Sequence, residues 1–303
     1  MEPEVIIVKP GELFLKSKPV RRKLFKQLIK NIKQALKLND VDFDYVFEEE
    51  ARILVYTDEI NEALTVIKNV FGITKLAPAV QVGSRLEIIN EAALELAKLS
   101  KTKTFDVKTK RVYKKFPLTS VEISNEVRTY LADKTGARVN YKKPNVTVNI
   151  ELLENKTFIY IDGILGLGGL PIPASGKVLC LCDSSFDSII ASWLFMRRGC
   201  EIVPLHLRVD EREHTQYLNH TKSLGTFSYG FRLKPYSEKL EEDMIEQAEA
   251  FAKEVGAKAI VLATQDPKKL PKLKKQTELT IFAPLIGLTT KELNSIKKNI
   301  QQA

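Results

Sequence analysis

Between residues 163 and 176 the chain places five of its 14 glycines, at positions 163, 166, 168, 169 and 176, together with Pro171 and Pro173. Such a segment sustains neither a helix nor a central strand, so it reads as a connector that obliges the chain to fold as separate regions on either side. A chain of 303 residues is long enough for two or three domains, each burying its own core without covalent staples. After the connector, short apolar runs at 177–182, 201–209, 227–233, 258–263 and 280–285 alternate with helical patterns. Strict alternation of that kind predicts a mostly parallel sheet with helices on both faces.

Before the connector the pattern differs. A strand at 4–8, a helix over 20–38, strands at 45–49 and 52–57 and a helix over 60–71 describe a small α+β sandwich. The first helix rests on Leu24, Leu28, Ile32, Ala35 and Leu36, which recur at helical spacing with lysines between them. A second block follows from Gly72, with a strand at 76–82, a helix over 86–99, a strand at 104–109 and a helix over 120–134 that Thr119 or Ser120 would cap. Strands at 146–152 and 157–161 close it around the turn Glu154-Asn155-Lys156.

Several function classes are disfavoured by composition. Hydrophobic residues at 44% and charged residues at 28% describe a folded soluble protein. The apolar start Val5–Val8 is broken at once by Lys9, Pro10 and Gly11, which is no signal peptide, and no run approaches the roughly 20 apolar residues of a membrane span. Three cysteines, Cys180, Cys182 and Cys200, build neither a disulfide framework nor a zinc site, which fits a reducing, cytoplasmic location. His206, His214 and His220 are too irregularly spaced to argue for a metal and read as surface or loop residues.

Charge points to an anionic partner. The net charge is +9, and residues 101–145 hold 12 Lys and Arg against four Asp and Glu, so nearly the whole excess lies in one segment. There Lys101, Lys103, Lys108, Lys110, Arg111, Lys114 and Lys115 surround Phe105, Tyr113 and Phe116, followed by Arg128, Lys134, Arg138, Lys142 and Lys143. Cations displace counterions from phosphates, and exposed aromatics offer unpaired bases a stacking surface. The alternative is a solvated charged face with the three aromatics in the core.

Residues 104–162, with a basic strand, a Thr-Ser helix start and the turn Asn140-Tyr141-Lys142-Lys143-Pro144-Asn145, resemble a THUMP domain. Gly11-Glu12-Leu13-Phe14-Leu15-Lys16-Ser17 with Arg21 and Arg22, then Phe71-Gly72-Ile73, then Gly168-Gly169-Leu170-Pro171, resemble in order the landmarks of the tRNA 4-thiouridine synthetases, or tRNA sulfurtransferases. This resemblance implies an α/β protein: an N-terminal ferredoxin-like α+β domain over 1–72, an α/β THUMP domain over 73–165, a linker over 166–176 and a parallel-sheet PP-loop ATP pyrophosphatase-like domain over 177–303. It implies tRNA as partner, held by Lys103, Lys108, Lys110, Arg111, Lys114, Lys115, Arg128, Arg138, Lys142 and Lys143. It also implies ATP with Mg as cofactor and a possible homodimer.

The resemblance is incomplete where the chemistry should lie. The family's phosphate loop, Ser-Gly-Gly-x-Asp-Ser, corresponds to Asp183-Ser184-Ser185-Phe186-Asp187-Ser188. Asp187 and Ser188 match; Ser184 and Ser185 add side chains where glycine lets the backbone approach phosphate, and Asp183 adds negative charge. A carboxylate about 4 Å from a phosphate costs on the order of 4 kcal/mol at an effective dielectric of 20. The other reading of this loop is an ordinary helix start capped by Asp183, Ser184 or Ser185.

The family's Cys-x-x-Cys-Arg-Arg segment has no counterpart, since no cysteine follows Cys200 and residues 240–247 are acidic. Its Gly-Glu-Ser motif is replaced by Thr264-Gln265-Asp266-Pro267 and a lysine run to Lys275, which reads as a solvated loop or an extension of the RNA surface. Cys180 and Cys182 should share one face of a strand as buried thiols, with Cys182, beside the loop, the one candidate for reactivity. Two functions remain open. One is an unusual 4-thiouridine synthetase, adenylating a uridine and served by an external sulfur donor such as a cysteine desulfurase. The other is a non-catalytic tRNA-binding paralogue or partner subunit with a decayed ATP site. A THUMP-linked methyltransferase is disfavoured, because no Gly-x-Gly-x-Gly loop follows a C-terminal strand.

Overall fold

The computed structural model of the protein describes residues 1–208, 211–239 and 243–302, without the side chains of Glu12, Phe14 and Arg208. These residues form two compact units, one from residues 1–10, 36–68 and 73–166, the other from 11–35, 69–72 and 167–303.

In chain order, the elements up to the connector are β1 (Val5–Pro10), α1 (Lys18–Leu38), β2 (Tyr45–Glu49), β3 (Arg52–Tyr56), α2 (Ile60–Ile67), β4 (Ile73–Val82), α3 (Leu86–Ala97), β5 (Thr104–Arg111), α4 (Ser120–Thr135), β6 (Arg138–Val139), β7 (Val146–Leu152), β8 (Thr157–Ile161) and β9 (Ile164–Leu165). The strands make one sheet, ordered β2-β3-β1-β4-β8-β7-β5-β6, with β9 paired to β4. The long strand β4 joins its halves. It is antiparallel to β1 from Ile73 to Ala79 and to β8 from Val80 to Val82. On the far half, Phe105 and Val107 of β5 pack against Ile123, Val127 and Leu131, the apolar stripe of α4. Thr119 caps that helix in a reciprocal capping box with Glu122.

A buried ionic cluster crosses the join. Glu151 on β7 lies 2.7 Å from Arg52 of β3 and 2.7 Å from Lys9 of β1, and it accepts a 2.8 Å hydrogen bond from the Tyr160 hydroxyl of β8. Burial pushes the Glu151 carboxyl up, but Arg52 and Lys9 outweigh it and hold the group below its usual range.

The second unit contains β10 (Lys177–Cys182), α5 (Phe186–Arg197), β11 (Glu201–Arg208), α6 (Glu211–Lys222), β12 (Tyr236–Lys239), α7 (Met244–Glu254), β13 (Ala259–Leu262), α8 (Leu270–Leu273), β14 (Thr280–Phe282) and α9 (Thr290–Gln301). All its strand pairs are parallel, in the order β12-β11-β10-β13-β14. Strand β10 shows why both faces are covered: Val178, Cys180 and Cys182 enter the core with Ile189 and Met196 of α5, whereas Leu179 and Leu181 enter the opposite core with Ala248 and Phe251 of α7. Residues 11–35 belong here as well. Asn31 donates to the Ile172 carbonyl at 2.7 Å, and Gln34 accepts from the Gly230 amide at 2.9 Å.

The strand expected at 227–233 is absent. Gly225–Phe227 is a short 3-10 turn, and the strand occurs later, at β12. The run Phe-Ser-Tyr-Gly-Phe imitates strand alternation, but Phe227 packs on Phe71 and Trp193 at ring centroids of 6.0 and 6.1 Å, and Gly230 turns with φ of +103° against the Ile172 carbonyl and Asn31. A side chain at Gly230 would meet that carbonyl directly. Helix α2 ends at Ile67, ahead of the expected Phe71, because Phe71 is a core residue of the second unit and Gly72 reverses the chain with φ of +103°. The connector holds the unforeseen pair β9. Val209, expected to end β11, lies outside the described residues.

Replacing Glu151 with Leu should cost about 3–5 kcal/mol, because it leaves Arg52 charged and unpaired inside the sheet. Urea denaturation of the two proteins at neutral pH measures it. The Glu151 carboxyl is lowered in the fold, so its contribution is present above the unfolded carboxyl pKa and fades as the pH falls through the folded value. The gap between wild type and Glu151→Gln should therefore narrow in acid.

Candidate functional site

In an open parallel sheet, ligands enter the crevice beyond the carboxyl ends of the strands, where the strand order reverses. Here the chain winds from β10 outward to β11 and β12, then returns to β13 on the other side. At that end lies a cavity of about 620 Å³, lined by Leu181, Asp183, Ser188, His206, Thr264 and Gln265 among others. Its walls are mainly apolar, and among the described residues Asp183, Glu213, Asp266 and Lys269 are the charged groups that line it.

The loop from Asp183 to Ser188 links β10 to α5 at the edge of this cavity. Its arrangement is governed by Asp183, whose Oδ1 accepts from the Ser185 amide at 2.9 Å, the Ser185 hydroxyl at 2.6 Å and the Ser188 hydroxyl at 2.7 Å. Burial raises the Asp183 carboxyl, but these donors prevail and hold it below its usual range. Ser185 occupies the N-cap position of α5 without a side-chain cap bond. A carboxylate of the chain thus takes the amide and hydroxyls that a phosphate-binding loop would offer to its ligand. The Ser184 carbonyl is engaged by His220 Nδ1 at 3.0 Å, and Asp187 Oδ2 accepts from Gln265 at 3.1 Å. Of the five loop residues singled out by sequence, Asp183 and Ser188 line the cavity, and Asp187 reaches it through Gln265. The apolar walls and volume fit a nucleoside, and the phosphates of a nucleotide would have to displace Asp183 from the loop's amide and hydroxyls.

The three cysteines are reduced and buried. Burial pushes the Cys182 thiol up to about 12, against a weaker lowering by Ser192, so its thiolate is scarce at neutral pH. Cys182 is thus a buried, protonated thiol at the wall of the cavity. The histidines depart from expectation too. His206 is only 2% exposed, with Nδ1 held 3.0 Å from the Cys182 carbonyl and the ring stacked on Tyr217 at 4.9 Å. It was missed because a lone histidine in an apolar strand carries no spacing signal. Among the described residues no group of His, Cys, Asp and Glu is placed to hold a metal ion.

The basic segment divides into two classes. Lys103, Lys108, Lys110, Lys114, Lys115, Arg138, Lys142 and Lys143 are exposed. Arg111 instead donates to the Phe116 and Leu118 carbonyls, each at 2.8 Å, and Arg128 to Asp106, Asn125 and the Val107 carbonyl. Those two guanidiniums are held by groups of the fold, whereas the eight exposed cations have open surroundings. Phe105 is fully buried, and Tyr113 and Phe116 pack against the core, so the bland reading of the three aromatics holds. The exposed aromatic is Tyr141. In the lysine run, Pro267–Lys269 and α8 form short helical turns in place of the expected loop. The first part of the acidic stretch, residues 240–242, lies outside the described residues.

Comparison with known proteins agrees with this layout. Family models match in order: the ThiI ferredoxin-like domain at residues 5–77, the THUMP domain at 84–162 and the thiamine biosynthesis protein ThiI at 173–242. A probable tRNA sulfurtransferase of Thermococcus kodakarensis is 34% identical across 98% of this chain and 87% of its own length. Its counterpart in Methanocaldococcus jannaschii is 32% identical across 97% and 87%. A crystal structure from Pyrococcus horikoshii superimposes with a TM-score of 0.83 at 27% identity, covering 98% of this chain and 99% of that one. A 4-thiouridine synthetase solved with RNA and ATP has the same fold, with a TM-score of 0.83 at 24% identity over 99% of this chain and 85% of that one. On the strength of these near full-length matches, the chain belongs to the tRNA sulfurtransferase family.

Proposed function

We propose that this protein binds tRNA through the exposed cations of residues 101–145 and acts in tRNA thiolation, the step that makes 4-thiouridine. The observation that carries the reading is the basic surface of β5, β6 and the turns beside them, in a chain whose relatives are named for tRNA sulfur transfer. Bound ATP would supply the adenylyl group that activates a uridine oxygen, with Mg neutralising its phosphates. The chain's own part is to hold the RNA and enclose the nucleoside in the cavity. Sulfur comes from an external donor such as a cysteine desulfurase, because all three thiols are buried. Cytoplasmic tRNA is the matching substrate pool.

One observation favours a second reading, a tRNA-binding paralogue without adenylation. The donors of the phosphate loop are already taken by Asp183. The two readings part on tRNA composition. Nucleoside mass spectrometry of tRNA from cells with and without the gene should show loss of 4-thiouridine on deletion; an unchanged nucleoside profile would leave only the binding role.

Two further outcomes are expected. Replacing Asp183 with Ser removes the internal carboxylate and should strengthen ATP binding by at least tenfold in calorimetric titrations with Mg, since a neighbouring charge of this kind is worth on the order of 4 kcal/mol. Charge reversal at Lys114, Lys115, Arg138 and Lys142 should weaken tRNA binding and flatten its dependence on salt, because fewer counterions are released. Filter binding at several salt concentrations checks this, and unchanged affinity would move the RNA surface elsewhere.

A further inference from the structure

The edge strand β6 gathers an unusual group. Its Arg138 and Val139 pair with Thr104 and Phe105 of β5, which places Lys103 and Arg138 side by side at the sheet margin. The chain then turns at Asn140, whose Oδ1 accepts from the amides of Lys142 and Lys143, each at 3.1 Å, and whose Nδ2 donates to the Lys143 carbonyl. This closed side-chain turn lifts Tyr141 away from the sheet, and its side chain is 67% exposed.

Tyr141 is nevertheless held. The guanidinium of Arg128 lies 5.0 Å from the centre of its ring. That guanidinium is fixed in turn by Asp106 at 2.9 Å, Asn125 at 2.8 Å and the Val107 carbonyl at 2.6 Å. One face of the phenol therefore rests on a cation fixed by three partners, and in the same short segment Arg138, Lys142 and Lys143 are exposed. A ring with one face on a fixed cation and the rest open to solvent, in a segment rich in exposed cations, suits an anionic partner that also carries flat, apolar faces. A single-stranded nucleic acid has both. A duplex has its bases stacked already and offers the ring nothing.

We propose that Tyr141, backed by Arg128, is a stacking platform for an unpaired base of bound RNA. The proposal rests on the RNA-binding reading above and adds to it a preference for single-stranded segments that charge alone does not give.

Fluorescence anisotropy of the full chain with two labelled probes, a short oligoadenylate and a blunt RNA duplex of equal length, tests it across several salt concentrations. Tyr141→Ala should weaken oligoadenylate binding between roughly 5- and 150-fold, with the salt slope unchanged because no phosphate contact is lost. Duplex binding should be unaltered, and Tyr141→Trp should retain the wild-type affinity for the single strand. Wild-type affinity in Tyr141→Ala for oligoadenylate would overturn the platform, as would an equal loss on both probes. If the wild-type chain binds neither probe, nor tRNA, the RNA-binding reading falls and the platform with it.

Discussion

One ten-residue strand carries hydrogen bonds on both of its edges, and the architecture of the first unit follows from that requirement. β4 pairs with β1 along one side and with β9 and then β8 along the other. Buried backbone groups must find partners, so two sequence regions that look like separate small domains have to share one sheet. The Glu151 cluster answers the same demand in side-chain terms. Its members come from β1, β3, β7 and β8, strands on both sides of β4, and the buried pair Arg52 and Glu151 has no cheap alternative partner. At the far margin of that sheet stands β6, whose Arg138 is set beside β5 and its basic residues.

The second unit keeps the framework of a nucleotide-binding sheet while altering its occupant. The crevice lies where parallel topology puts it, at the strand-order reversal, and the loop still gathers an amide and two hydroxyls around one point. What meets those donors is the carboxylate of Asp183, attached to the same loop. An internal anion needs no translational entropy to arrive, so an incoming phosphate competes with a partner that is always present. Ser185, which adds a side chain where a glycine would let a phosphate approach, donates its hydroxyl to the Asp183 carboxylate, and Ser188 does the same.

Where a short apolar or alternating run is bounded by turn residues, the elements were legible. Residues 45–49, 146–152, 157–161 and 177–182 became strands with those bounds. The pattern failed at 227–233, where aromatic residues alternate for a different reason: Phe227 fills a core beside Trp193, and Gly230 yields to a distant backbone. The loop's weakness as a phosphate site could be read from Ser184 and Ser185. Its self-satisfaction by Asp183 could not, because sequence does not reveal where a carboxylate turns. Likewise, a tally of cations treats Arg128 and Lys142 alike. Only the fold shows that one guanidinium is saturated by Asp106, Asn125 and a carbonyl while the ammonium group stays in water. Tyr141 went unnoticed among the aromatics for the same reason.

The docking of Asn31 and Gln34 onto Ile172 and Gly230 has a bearing on biosynthesis. These partners are 141 and 196 positions apart in the chain. A ribosome delivers the amino-terminal helix long before the segments that receive it, so its apolar stripe must wait, solvated or shielded by a chaperone, until the segments around Ile172 and Gly230 emerge. The second unit is therefore completed late, once the helix and the segments that receive it have all been made.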